Sequence, residues 1–309
     1  MENHDFYPEK PELVEKKNQN NVGKTVISVL LFILFMSLSG ISNFIFIFFV
    51  IAVLFIHEMG HFSFMKLFKY TNVSMMFVPL MGAFVRGEKE KYEQKQSVLV
   101  IMAGPIPGVI IGMILLYFGT LWKMEWVFNL SIIFLFLNMM NLLPLDPLDG
   151  GQLFKLLINR GHEKFQLFFS FISSLIVIAI GWYIDALGLT IFGFLMGFRV
   201  RAIQKNYHIH KDLEEENINF KTTYNSLSNK DFSQIKQIVL KYTPALRTYI
   251  DQVESEVVDP IIASQVNSVL ISPFEKNASL LFKSLTVIVW LSAMLSPFIL
   301  MIYLNLIEL

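Results

Sequence analysis

Apolar residues fall in seven long runs, near 26–39, 43–65, 98–119, 126–147, 165–184, 186–200 and 285–307, with shorter polar stretches between them. A helix needs about 20 largely apolar residues to cross the hydrocarbon layer of a bilayer, and several of these runs reach that length. The two on either side of Asp185 are short and read as two spans meeting at a turn. The pattern predicts an all-α polytopic membrane protein with six or seven transmembrane helices. Four regions follow: a polar N-terminal tail over 1–24, a transmembrane domain over 25–200, a soluble helical region over 201–284, and a C-terminal transmembrane helix within 285–309.

Two of the intervening stretches have their own pattern. TNVSMMFVPLMGAFVRG, residues 71–87, is apolar and β-prone, and Pro79 and Gly82 interrupt it. It is too short for two helices and reads as a membrane-associated β-hairpin that offers an edge to an extended peptide. The competing reading is an apolar connector packed on neighbouring helices. Between 201 and 284, Ser228-Asn-Lys-Asp231 resembles a capping box, and Pro244 and Pro260 mark further helix starts. Ile235, Ile238, Val239, Tyr242, Leu246, Tyr249, Ile250 and Val253 recur at helical spacing with a break at Thr243, which predicts a small helical cytoplasmic element.

Composition strengthens the membrane reading: 54% of the 309 residues are hydrophobic, thirty of them Phe, and only 16% are charged. Net charge is zero, so nothing points to nucleic acid. The absence of Cys excludes disulfides and thiolate metal ligands. Lys66, Lys69, Arg86, Lys89, Lys91 and Lys95 lie between the second and third runs, and Lys155, Arg160 and Lys164 between the fourth and fifth, against Lys123 alone on the other side. Loops rich in Lys and Arg stay in the cytoplasm. The N-terminus and the 57–61 end of the second span are therefore expected there, in what reads as a bacterial inner membrane.

That second span closes on His57, Glu58 and His61. Ionisable groups inside a span are costly and mark function by default. On a helix, residues four apart share a face, so His57 and His61 present two imidazoles to one point while Glu58 stands beside them. This is the H-E-x-x-H arrangement, in which the Glu is a general base beside a zinc ion. The competing reading is two histidines packed in a helix interior. A third ligand is needed, and NMMNLLPLDPLDGGQL, residues 138–153, offers Asp146 and Asp149 where Pro144 and Pro147 force the helix to unwind. Asn138 and Asn141 precede them one turn apart. The third run opens with AGPIPGVIIG, residues 103–112, whose small residues let helices approach closely.

His57-Glu58-Met59-Gly60-His61, followed by Asn141-Leu-Leu-Pro144 and Leu148-Asp149-Gly150, resembles the site-2 protease family of intramembrane zinc metalloproteases. The resemblance covers about residues 43–155. It implies one zinc per chain, held by His57, His61 and Asp149, with Glu58 as the catalytic base and a site-2-protease-like helical core. It favours Asp149 over Asp146 as the ligand. Asn141 matches the Asn that helps to hold the substrate or its polarised carbonyl, and Gly82, Ala83 and Phe84 fall on the family's membrane-associated β element, where a substrate strand would bind. No loop is long enough for a PDZ domain, and the C-terminal region does not read as a CBS pair.

The expected function is hydrolysis of peptide bonds in membrane-spanning or membrane-tethered proteins, with the lipid bilayer as the other partner. Two alternatives stand beside it: a membrane metallopeptidase with Glu88, Glu90 or Glu93 as third ligand, and a non-catalytic channel or binding protein whose polar residues line a pathway.

Overall fold

The computed structural model describes residues 7–13, 21–38, 40–79, 82–159, 163–250 and 255–306. Along the chain come α1 (Asn21–Leu38), α2 (Phe44–Leu67), the strands β1 (Thr71–Val78) and β2 (Gly82–Glu88), then α3 (Gln94–Met102), α4 (Pro105–Leu121), α5 (Glu125–Leu142), α6 (Asp149–Asn159), α7 (Glu163–Tyr183) and α8 (Leu187–Glu215). The remaining helices are α9 (Asn229–Lys241), α10 (Pro244–Ile250), α11 (Ser255–Val269) and α12 (Leu280–Tyr303). Six helical stretches among the described residues are long and apolar enough to cross a membrane: α2, α3 with α4, α5, α7, α8 and α12. The apolar helix α1 is not one of them, its apolar stretch running over Gly23–Leu38. The protein is an integral membrane protein.

Contacts divide the chain into two units. The larger comprises Asn20–Lys89, Glu93–Gly197 and Lys276–Leu309. Asn43 caps α2 by accepting from the Phe46 amide at 3.1 Å. α4 and α5 form an antiparallel pair whose close approach depends on small residues: a Cβ on Gly112 would lie 2.8 Å from the Leu135 side chain, and one on Gly108 would lie 2.2 Å from the Asn138 side chain. The Asp185 backbone turns through a positive φ of 58° between α7 and α8, so the two runs around it form separate helices.

The 71–87 stretch folds as an antiparallel hairpin with Met76 opposite Phe84 and Met75 opposite Val85. Met75 and Phe77 point inward and pack with Phe32, Val50, Val53, Leu54, Ile133 and Phe134. α1 covers the outer edge of β1: Thr25 Oγ1 donates to the Met75 carbonyl at 2.7 Å, and the Phe77 amide donates to Ser28 Oγ at 3.0 Å. Main-chain groups alternate sides along a strand. Since Met75 and Phe77 face α1, their partners Val85 and Ala83 turn their own amides and carbonyls to the far edge of β2, and those of Gly82 and Phe84 face β1.

The smaller unit comprises Met1–Gln19, Glu90–Tyr92 and Phe198–Glu275. Its core gathers Ile209 and Leu213 from α8, Phe232, Ile235 and Val239 from α9, and Ile262 and Val266 from α11. The apolar run in α8 ends near residue 200, yet the helix continues to Glu215 because Ile209 and Leu213 keep an inward face. Ser228 caps α9: the Asp231 amide donates to Ser228 Oγ at 3.0 Å, and Ser228 Oγ donates to Asp231 Oδ2 at 2.8 Å. One expectation needs correction: Pro260 does not start a helix but lies inside α11, at its sixth residue. No residue of α10 is fully buried, yet Ile250 of the periodic face packs on the core. Within the polar tail, Lys10 Nζ donates to the Tyr224, Asn225 and Leu227 carbonyls at 2.7, 3.1 and 2.6 Å, and Leu13 packs on the core. The remainder of the tail before Asn21, together with Arg160 and Val253, lies outside the described residues.

Candidate metal centre

Four segments build the centre. α2 carries His57, Glu58 and His61, all buried. The junction of α3 and α4 passes against α2 because Gly60 has no side chain; a Cβ there would lie 1.9 Å from the Ala103 carbonyl oxygen. Gly104 thereby reaches the rings: a Cβ on it would meet His61 Nε2 at 2.3 Å and His57 Nε2 at 2.9 Å. α5 stops at Leu142, since Leu143 precedes Pro144 and takes the extended conformation that a following proline enforces. The chain folds back, and α6 begins at Asp149. Gly150 and Gly151 permit this return, as a Cβ on either would lie 2.0 Å from the Leu142 oxygen or 2.3 Å from the Leu145 oxygen.

The result is a triangle of three atoms. Asp149 Oδ2 lies 3.0 Å from His57 Nε2 and 3.3 Å from His61 Nε2, and the two Nε2 atoms are 3.1 Å apart. The outward nitrogens settle the proton positions. His61 Nδ1 lies 2.8 Å from the Val100 carbonyl, which can only accept, so Nδ1 donates. His57 Nδ1 donates to Asn138 Oδ1 at 2.8 Å, and that amide's orientation is fixed by Asn138 Nδ2 donating to the Phe134 carbonyl, also at 2.8 Å. In neutral imidazoles both Nε2 atoms are then bare acceptors. With the carboxylate, three electron-rich atoms converge in a buried space.

Such an arrangement suits a cation at its centre. Tetrahedral zinc with bonds of about 2.0–2.1 Å holds its ligands about 3.3 Å apart, close to the separations seen. The orienting bonds on both outer nitrogens match the partners that ligating histidines ordinarily have. His57, His61 and Asp149 are the group of potential metal ligands that the described residues bring together. Glu58 stands beside them: it takes a hydrogen bond from the backbone amide of Val85 on β2, and its Oε2 is buried without a hydrogen-bond partner among the described residues.

Residues 45–125 match Peptidase family M50. The matched segment holds His57, Glu58, His61 and Gly104; Asn138 and Asp149 lie beyond it. A zinc metalloprotease of Methanocaldococcus jannaschii is 22% identical over 234 residues, 72% of this chain and 66% of the relative. Stage IV sporulation protein FB of Bacillus subtilis is 27% identical over 117 residues, 36% of this chain and 39% of the relative. This chain thus spans just under two thirds of the first relative's length and well under half of the second's. Among solved structures, a site-2 protease from Methanocaldococcus jannaschii has a TM-score of 0.45 at 21% identity, covering 57% of this chain and 87% of that one.

Of the other carboxylates considered, Glu88 accepts from Asn72 at 3.1 Å, and Glu93 accepts from Gln96 and Asn277 at 2.9 Å each. Neither they nor Glu90 belong to the group around His57 and His61. Asn141 turns its amide to the Leu137 carbonyl of its own helix at 3.2 Å. Asp146 is buried and pairs with Lys155.

Sequence reasoning missed Asn138 as the partner of His57, Val100 as the partner of His61, and Gly104 as the floor of the site. Asn138 and Asn141 stand one turn apart, and helical phase decides between them. Asn138 is the one packed against α4, where a Cβ on Gly108 would touch it. Val100 acts through its carbonyl, which leaves no mark in the sequence.

Proposed function

We propose that this chain is an intramembrane zinc metalloprotease that cleaves membrane-spanning or membrane-tethered proteins, with His57, His61 and Asp149 holding one zinc ion and Glu58 acting as general base. The observation that carries this reading is the convergence of three acceptor atoms within 3.3 Å of one another, beside a buried carboxylate that holds one oxygen unpartnered. A structural role alone gives no reason to bury such a set; a cation does.

Zinc, when bound, lowers the pKa of water toward about 7 and polarises a scissile carbonyl. The protein's residues supply the rest. Val100 and Asn138 keep both ligating nitrogens unprotonated. Gly104 keeps the floor open. Glu58 Oε2 is placed to take a proton and return it to the leaving amide nitrogen, the usual work of a carboxylate beside a hydrolytic metal. Asn141 serves substrate or its carbonyl in this reading, swinging away from Leu137 to do so.

A helical substrate must unwind before its backbone reaches the centre. The far edge of β2 suits the task, because α1 already covers β1 and the Ala83 amide and carbonyl and the Val85 carbonyl face outward, beside the Val85 amide that donates to Glu58. Gly82 and Phe84 shape that strand without offering main-chain groups on its far side. The Lys and Arg bias supports a cytoplasmic position for the centre.

The test is cleavage of a membrane-anchored peptide by the full chain in detergent. Wild type cleaves, and Glu58→Gln binds zinc equally but does not cleave. Equal cleavage by both would remove Glu58 from the reaction.

A further inference from the structure

The loop that delivers Asp149 runs from Leu143 to Leu148 and contains two prolines, so few helical hydrogen bonds hold it. At its middle sits Asp146, 2% exposed, three residues before the ligand. Its Oδ1 forms an ion pair with Lys155 of α6, and its Oδ2 accepts from Ser170 Oγ of α7 at 2.6 Å. Its amide donates to Ser173 Oγ, one turn further along α7, at 3.1 Å. Gln152 Nε2 reaches Oδ1 at 3.5 Å and the Pro147 carbonyl at 3.4 Å. The Lys155 side chain is itself only 13% exposed.

We infer that Asp146 is a positioning residue: through Lys155, Ser170 and Ser173 it locks the 143–148 loop to α6 and α7 and so sets where Asp149 meets the two histidines. The inference rests on the zinc reading given above. Its physical basis is that a buried carboxylate and a buried ammonium are each costly alone and hold one another in a fixed geometry together with two hydroxyl donors. Lys155 follows Asp149 on the same short helix, so the pair closes a ring that runs through the ligand itself. Any shift of α6 along its axis would separate the charges. The loop therefore has one register, and Asp149 one position. Serine at both 170 and 173 fits this role, since the two hydroxyls lie on one face of α7 and serve side chain and backbone of the same residue.

The test uses full-length protein in detergent, with zinc affinity measured by competition against a chelator and helix content measured by circular dichroism. Orienting groups around metal ligands are worth about 10–100-fold in affinity. Asp146→Ala and Lys155→Met are each expected to weaken zinc binding by that factor at unchanged helix content, because either leaves one charge buried alone. The double variant Asp146→Asn with Lys155→Met, neutral and of similar shape, is expected to recover most of the loss. Ser170→Ala, which keeps both charges and is the least disruptive change, is expected to weaken zinc about fivefold. Wild-type zinc affinity in folded Asp146→Ala, or zinc loss that only follows loss of helix, would overturn the inference while leaving the metal centre standing. A wild-type chain that binds no zinc at all would overturn the metal centre and this inference together.

Discussion

Asn138 Oδ1 accepts the Nδ1 proton of His57 at 2.8 Å, across two helices packed closely enough that Gly108 of a third has no room for a side chain. The amide is fully buried and held by its own helix through the Phe134 carbonyl. It therefore fixes the tautomer of His57 as well as its orientation. Asn138→Leu is expected to weaken zinc binding about 10–100-fold, as loss of such partners does elsewhere, and chelator competition on the purified variant measures it. An unchanged affinity would mean that His57 needs no orienting bond.

Gly104 faces the two ligating nitrogens without a side chain. Gly104→Ala would put a carbon 2.3 Å from His61 Nε2, so zinc binding and cleavage are both expected to disappear while helix content stays. Gly197→Ala is the matched control: nothing lies within 4 Å of its Cβ, and alanine favours a helix over glycine by about 1 kcal/mol. That variant should match wild type in metal content and melt no lower.

The β2 edge gives a kinetic prediction. Ala83→Pro removes an amide that faces away from β1, so the hairpin keeps its ladder while an added strand loses a hydrogen bond. Cleavage is expected to fall about tenfold, expressed in KM, with zinc content unchanged. A loss confined to kcat would place Ala83 in the chemistry instead of in docking.

Much of this was readable from residue order. The spacing of His57 and His61 gave their shared face, and the two prolines at 144 and 147 gave the unwound turn that lets α6 start at Asp149. Choosing Asp149 over Asp146 was different: both are acidic and each follows a proline by two residues, and the resemblance to known proteases had to decide. The fold supplies the physical reason, since Asp146 is occupied by Lys155 and Ser170. That partnership spans three elements and leaves no periodic trace. Lys10 was illegible for the same reason, because its three carbonyl acceptors lie more than two hundred residues away.

The smaller unit offers a pH test. Burial and the nearby Asp259 push the Tyr224 hydroxyl from 10.0 up to about 12, and the hydroxyl donates to the Pro11 carbonyl at 2.7 Å. A raised value means that the fold favours the protonated form. Its contribution is complete below pH 10 and is lost as pH rises toward 12. Tyr224→Phe is expected to cost about 0.5–1.5 kcal/mol at neutral pH and to remove the latest-ionising phenol from the alkaline absorbance titration. A titration unaltered above pH 11 would show that Tyr224 is solvated.

The most direct test of the metal centre is the zinc content of purified Asp149→Ala beside wild type, both folded in the same detergent. One zinc per wild-type chain and none in the variant is the expected result. Full zinc occupancy in Asp149→Ala would contradict the account, because the ion would then be held without the carboxylate that closes the triangle.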